Sequence, residues 1–219
     1  KNAMIFPPTV PKEKMRDLYN NFEKPHFYVL GNHEQDFCSK EEAMAFYGMS
    51  SRYYSFQVGE WKMIVLDASN FKTPEGRIKA YDHGDYFQNA EQLSELFQKA
   101  SQSGRRVHLC MNGHTHVDLY QKWNGVGYYT LNSMSNHWIG TEYACKRFDE
   151  KTEQEFPNLQ YTFPYEEALY GIVTLTEKGG RVEGVKGEFI VPAPEKTGLK
   201  PGTIQGLSAG IQDREFQWD

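Results

Sequence analysis

The sequence predicts an α/β fold, and three features carry that reading. Two strand-like apolar runs, His26-Phe27-Tyr28-Val29-Leu30 and Arg106-Val107-His108-Leu109-Cys110-Met111, each end in a glycine-headed polar loop. Those loops are Gly31-Asn32-His33-Glu34 and Gly113-His114-Thr115-His116. Helical stripes alternate with the runs, and beyond Val117 the pattern turns to short strands joined by tight turns. Open α/β sheets build ligand sites where strands end and loops meet.

Taken in order, Pro7 and Pro8 mark a loop and Pro11 suits a first helical residue. Met15, Leu18, Tyr19 and Phe22 recur at helical spacing, which predicts an amphipathic helix over 11–23 that Pro25 ends. Strand 26–30 then leads to the first loop. Ser39-Lys40-Glu41-Glu42 is a capping box opening a short helix that Gly48 closes. Runs 52–58 and 61–67 flank Gly59-Glu60 as a hairpin whose second strand, ending at Asp67, is apolar enough to be central. Residues 68–88 predict a long loop, and Asn89 caps a helix with the stripe Leu93, Leu96, Phe97 and Ala100. Gly104 stops that helix, and strand 106–111 delivers the second loop. Asn124-Gly125 joins strands 117–123 and 126–132. Residues 141–167 read as irregular, 169–176 and 181–191 as a last hairpin, and the tail from about Pro192 as a surface wrap. The whole, 1–219, reads as one domain.

At 219 residues the chain is long enough for a substantial core. A formal charge of −5 argues against a nucleic-acid backbone as main partner, since that surface requires clustered Lys and Arg. Three widely spaced cysteines, Cys38, Cys110 and Cys145, suggest neither a disulfide framework nor a thiolate metal site. No run has the length of a membrane-spanning helix and no signal peptide opens the chain, so a soluble protein is expected and its compartment stays open. Nothing in the pattern fixes the oligomeric state.

The two loops carry the chemistry. Asn and neutral His offer oxygen and nitrogen donors suited to divalent transition metals. Glycine at the head of each loop is expected to allow positive φ and close approach to a ligand. His114 and His116, two residues apart, would present both rings on one side of an extended segment. Either loop alone is most often just a turn. Their joint occurrence by chance is on the order of one chain in ten thousand.

Gly-Asn-His-Glu and Gly-His-Thr-His resemble the third and last signature blocks of the calcineurin-like metallophosphoesterases. Asn132-Ser133-Met134-Ser135 and the stretch Pro157 to Tyr165 are similar, more softly, to a bacterial branch of that family. The resemblance implies two stacked mixed β-sheets flanked by helices, a four-layer sandwich. It implies a hydrolase of phosphomonoesters or phosphodiesters, with two divalent metal ions (Mn, Fe or Zn) and a bridging oxygen as nucleophile. Carried over residue by residue, Asn32 and His114 would bind the second metal and His116 the first. His33 would protonate the leaving group or steady the phosphate. Glu34 would orient His33 or act directly.

The family's first block, Asp-x-His, its second, Gly-Asp-x-x-Asp, and a fourth, His-bearing block are not found in this sequence. On this reading the sandwich is N-terminally incomplete at Lys1-Asn2-Ala3-Met4, and a helix–strand unit is absent near Phe87-Gln88-Asn89. Asp82-His83-Gly84-Asp85 has the right residue types without the spacing, and His108, inside a strand, is a poor substitute. The alternative is a non-catalytic binding module on a decayed scaffold, and a structural-zinc site is weaker still. His137, Trp138 and Tyr143 would wall a substrate cleft or pack beneath a loop.

Overall fold

The structure, a computed structural model, describes residues 12–36, 38–67, 70–72, 78–80, 90–200 and 202–218. Pro7, Pro8, Pro11, the Asp82–Asp85 stretch, Phe87-Gln88-Asn89 and the chain's first residues lie outside them. The fold is mixed α/β, with several small sheets and few helices. The chain divides into two compact units, residues 1–92 and 93–219, each described by itself. Among the described residues no helix is long and apolar enough to cross a membrane.

In the N-terminal unit, α1 (Lys12–Asn20) carries Met15, Leu18 and Tyr19 of the expected stripe and ends before Phe22, short of the expected 11–23. The stripe is not covered: Met15, Leu18, Tyr19 and Phe22 remain 42–58% exposed. Residues 26–30 are extended but join no ladder among the described residues, so the expected strand does not form there. Side chains satisfy part of that backbone instead, for the Tyr54 hydroxyl donates to the Tyr28 carbonyl at 2.7 Å. Leu30, at the end of the run, is buried.

The capping box is present as expected. Ser39 accepts from the Glu42 N–H, the Glu42 carboxylate accepts from the Ser39 N–H, and α2 (Lys40–Tyr47) ends on left-handed Gly48. Two hydrogen bonds from Ser39 hold the Glu42 carboxyl below the usual range. β1 (Tyr54–Val58) and β2 (Trp61–Val65) form the antiparallel hairpin. β2 pairs only with β1 among the described residues, so it is not central. Its alternation leaves one face wet, with Ile64 63% exposed. Asp67, just past β2, meets Lys40 at 2.5 Å and Arg52 at 3.6 Å. Burial of Lys40 at the head of α2 is thereby matched by an opposite charge. The stretch read as one long loop contains a short hairpin, β3 (Asn70–Lys72) with β4 (Ile78–Ala80).

The C-terminal unit begins at Leu93, within α3 (Ala90–Gln102). Ser94 is the helix's buried residue, while Leu96 of the predicted stripe faces solvent. β5 (Leu109–Asn112) runs parallel to the central β7 (Val126–Thr130), and β6 (Leu119–Trp123) pairs with β7 antiparallel. Asn124 (φ 50°) and Gly125 (φ 75°) make the tight turn the sequence predicts.

The segment read as irregular holds three ordered elements. They are α4 (Glu150–Glu155), a 3-10 turn at Leu159–Tyr161, and β9 (Thr162–Pro164) paired with β8 (Asn136–Trp138). Its signal was present in Asp149, whose carboxylate caps α4 by accepting from the Thr152 N–H at 3.1 Å. Helix α4 is short enough that apolar periodicity did not reveal it.

The final hairpin, β10 (Gly171–Thr176) and β11 (Gly179–Gly184), acquires a third strand from the tail, β12 (Arg214–Gln217). The tail is therefore structural rather than a wrap. Ala209, Ile211 and Phe216 join Tyr129, Tyr165, Leu169 and Val182 in one buried core. Glycine permits this at Gly184, where a Cβ would stand 2.1 Å from the Ile211 carbonyl oxygen.

Arg214 locks the tail to the rest of the unit. Its guanidinium grips Asp118 through two 2.7 Å bonds, and the Gln212 N–H donates to the same carboxylate at 2.8 Å. The Asp118 side chain is only 4% exposed. Breaking a pair this enclosed leaves a guanidinium without its counter-charge, at a cost of about 3 kcal/mol. Asp118→Asn is expected to lower stability by about that amount in urea unfolding followed by tryptophan fluorescence. A loss near zero would mean that the pair is solvated.

Candidate functional site

Both predicted loops are described, one in each unit. In the N-terminal unit, Asn32 is half-buried and His33 opens a 3-10 turn, His33–Asp36. Glu34 turns back on its own loop and accepts from the Gly31 N–H at 2.8 Å. It therefore closes the turn that presents Asn32 and His33. Gly31 is not in a positive-φ conformation. A Cβ there would approach the Glu34 carboxylate to 3.1 Å, so close approach is what small size provides.

In the C-terminal unit, the parallel ladder carries β5 to Asn112, and the Leu131 N–H donates to the Asn112 carbonyl at 2.8 Å. Gly113 to His116 leave from that strand end, as the α/β pattern predicts. Here the backbone departs from expectation. Gly113 does not hold positive φ; His114 (φ 79°) and His116 (φ 55°) do. The segment is not extended, and the argument that both rings share a side through strand alternation does not apply. A side-chain-bearing residue at positive φ is disfavoured by about 1–2 kcal/mol because Cβ crowds the backbone. Two such residues in four persist only where surrounding structure holds them, and such strain gathers at functional sites.

The surrounding hold is visible at His116. Its Nδ1 lies 3.1 Å from the Asn136 side-chain oxygen. Next in sequence, His137 is fully buried at 1% exposure and makes a hydrogen bond with the His116 backbone. Burial first, and His116 second, push the His137 imidazole down to about 4. It is thus a neutral wedge beneath the loop. His137 does not wall a cleft, since it offers no surface. Trp138 is 48% exposed, with its ring 5.8 Å from Tyr161. Tyr143 is half-buried.

The other candidates stand apart. His108 precedes β5, half-buried with its ring 5.0 Å from Trp218, and burial lowers its pKa. Cys38, Cys110 and Cys145 are free thiols, and burial pushes Cys110 upward. A cavity of about 430 Å³ is lined by Asp118, Phe189, Leu199, Ile204, Leu207 and Gln212, and by neither loop histidine.

The donor chemistry of Asn32, His114 and His116 suits a divalent transition metal: an amide oxygen and two imidazoles. Among the described residues no three His, Cys, Asp or Glu side chains group to hold one. Sequence reasoning missed Asn136 and Asp118. Asn136 lies 20 residues from the histidine it touches, and no periodicity links them. No protein-family model, curated protein or solved structure matches the chain.

Two outcomes check this geometry. Left-handed backbone at position 114 makes His114→Gly more stable than His114→Ala by about 1 kcal/mol in chemical unfolding. Equal stability of the two would rule that conformation out in solution. His137 titrates near 6.5 when unfolded and near 4 when folded, so the unfolded chain binds more protons between those values. Stability is therefore full above pH 6.5 and falls as pH drops toward 4, by up to about 1.4 kcal/mol per unit. His137→Gln should flatten that slope, and an unchanged slope would assign it to other groups.

Proposed function

We propose that the chain is a metal-dependent phosphoesterase of the calcineurin-like kind, hydrolysing a small phosphomonoester or phosphodiester. The observation that carries the reading is the Gly113–His116 loop. It sits at the end of a parallel strand, with left-handed backbone at both histidines and one imidazole held through Nδ1. A fold that maintains this strain has a use for those rings. The finer architecture, two stacked sheets flanked by helices, belongs to the same proposal and rests on the resemblance of the two loops.

Within it, His114, His116 and Asn32 are the metal-holding residues. Two divalent ions, Mn, Fe or Zn, supply Lewis-acid and water-activating chemistry when bound. His33, presented by the turn that Glu34 closes, donates a proton to the departing oxygen or steadies the phosphoryl group. The acidic ligand blocks of the family pattern are not found in this sequence, so a full dinuclear site would need acidic ligands other than those blocks.

The test is metal content by elemental analysis together with hydrolysis of an aryl phosphodiester with added Mn. About two metals per chain with turnover supports the reading. Neither metal nor turnover leaves the binding-module alternative in the lead. In an active preparation, His33→Ala should lower turnover by about 10²–10⁴-fold at unchanged metal content. Undiminished turnover would remove His33 from the chemistry.

A further inference from the structure

Between the core of the C-terminal unit and the ring of His116 lie the hydrogen bonds of Asn132, Ser133, Ser135 and Asn136, linked through the covalent chain at the two serines. The buried Tyr165 hydroxyl donates to the Asn132 side-chain oxygen at 3.0 Å, and burial pushes that phenol well above its usual range. The same Asn132 oxygen accepts from the Ser133 N–H at 2.8 Å. The Asn132 amide nitrogen donates to the Ser208 and Gly210 carbonyls at 3.1 and 3.2 Å, which fixes its orientation. Ser133 Oγ then accepts from the Ser135 N–H at 3.2 Å. Ser135 Oγ accepts from Asn136 Nδ2 at 2.9 Å, and Asn136 Oδ1 faces His116 Nδ1 at 3.1 Å.

The orientation of the Asn136 amide decides a proton. Asn136 spends its N–H₂ on Ser135, so only its carbonyl oxygen faces the imidazole. A carbonyl oxygen can only accept. With the amide so oriented, His116 carries its proton on Nδ1 and its ring lone pair falls on Nε2. A flipped amide would reverse both assignments and place the lone pair on Nδ1, turned inward. Fixing which imidazole nitrogen is a base, and pinning the ring, are what partners behind metal-binding histidines do.

We propose that Asn136 is the positioning residue for His116, holding it in the Nδ1-protonated tautomer with Nε2 as the donor atom for a divalent cation. The tautomer is a property of the metal-free chain, whereas its use rests on the phosphoesterase reading. Separate measurements therefore address the two.

The first measurement is long-range ¹H–¹⁵N correlation NMR on the metal-free, full chain near neutral pH. His116 is assigned by the signals lost in His116→Gln. The expected result is a protonated Nδ1 and an unprotonated Nε2 in the wild-type protein. In Asn136→Ala the two tautomers should mix, while Asn136→Asp, which retains an acceptor oxygen, should restore the wild-type pattern. The second measurement is Zn(II) affinity by chelator competition. Asn136→Ala should bind about 10–100-fold more weakly, and Asn136→Asp should recover most of the loss.

A wild-type His116 protonated on Nε2 overturns the proposal without recourse to any variant. So does an Asn136→Ala protein with unchanged tautomer. A tautomer that follows Asn136 as expected, in a wild-type chain that binds no Zn(II), supports the positioning role and overturns the metal-site reading. Loss of affinity that Asn136→Asp fails to recover, with backbone spectra intact, overturns the link between tautomer and binding.

Discussion

The C-terminal unit depends on the Asp118 carboxylate. It receives both arms of the Arg214 guanidinium and the Gln212 N–H. Asp118 lies two residues past His116, and Arg214 begins β12 almost a hundred positions later. One ion pair thus joins the exit of the histidine loop to the last strand of the three-stranded sheet. Its enclosure raises the stakes: a paired, hydrogen-bonded charge is tolerated inside, and an unpaired one is not. The neighbouring Tyr129 ring, fully buried, has its phenol pushed up to about 12, first by burial and then by the Asp118 charge. The Tyr129 phenol beside the carboxylate therefore keeps its proton near neutrality.

Asn132 repeats the arrangement in uncharged form. It holds the 208–210 backbone with one end of its amide and Tyr165 with the other. Between them, Asp118 and Asn132 fasten the tail to both sides of the loop region, and the tail residues Ala209, Ile211 and Phe216 fill the core. The Gly113–His116 loop lies next to these anchored residues, with Asp118 two positions on and Asn136 against the His116 ring. That is the setting in which two histidines can be kept at positive φ.

The N-terminal unit is built differently. Its buried ion pair, Lys40 with Asp67, ties the head of α2 to the end of β2. Around it the packing is mostly aromatic. Phe27 stacks on Phe56 at 3.5 Å and Tyr28 on Tyr47 at 4.7 Å. Among the described residues few apolar side chains are buried, and Val29, Ile64 and Leu66 stay exposed. The Glu34 carboxylate closes the Asn32–His33 loop by accepting from the Gly31 N–H.

The sequence by itself determined the elements whose cause is local. The Ser39 capping box, the Asn124-Gly125 turn and the loop delivered by the 106–111 run are legible because each depends on residues a few positions apart. It also determined which residues carry candidate chemistry, since Asn32, His33, His114 and His116 are recognised by type and spacing. The tertiary structure alone decided the rest. Among the described residues it left 26–30 without a ladder, because a strand exists only with a neighbour, and no periodicity reports one. It drew the tail into the core and placed Asn136 behind His116, because those contacts join residues far apart in sequence. In the second loop it placed the left-handed backbone at His114 and His116 rather than at Gly113, beside the contacts that Asn136 and Asp118 make with residues distant in sequence.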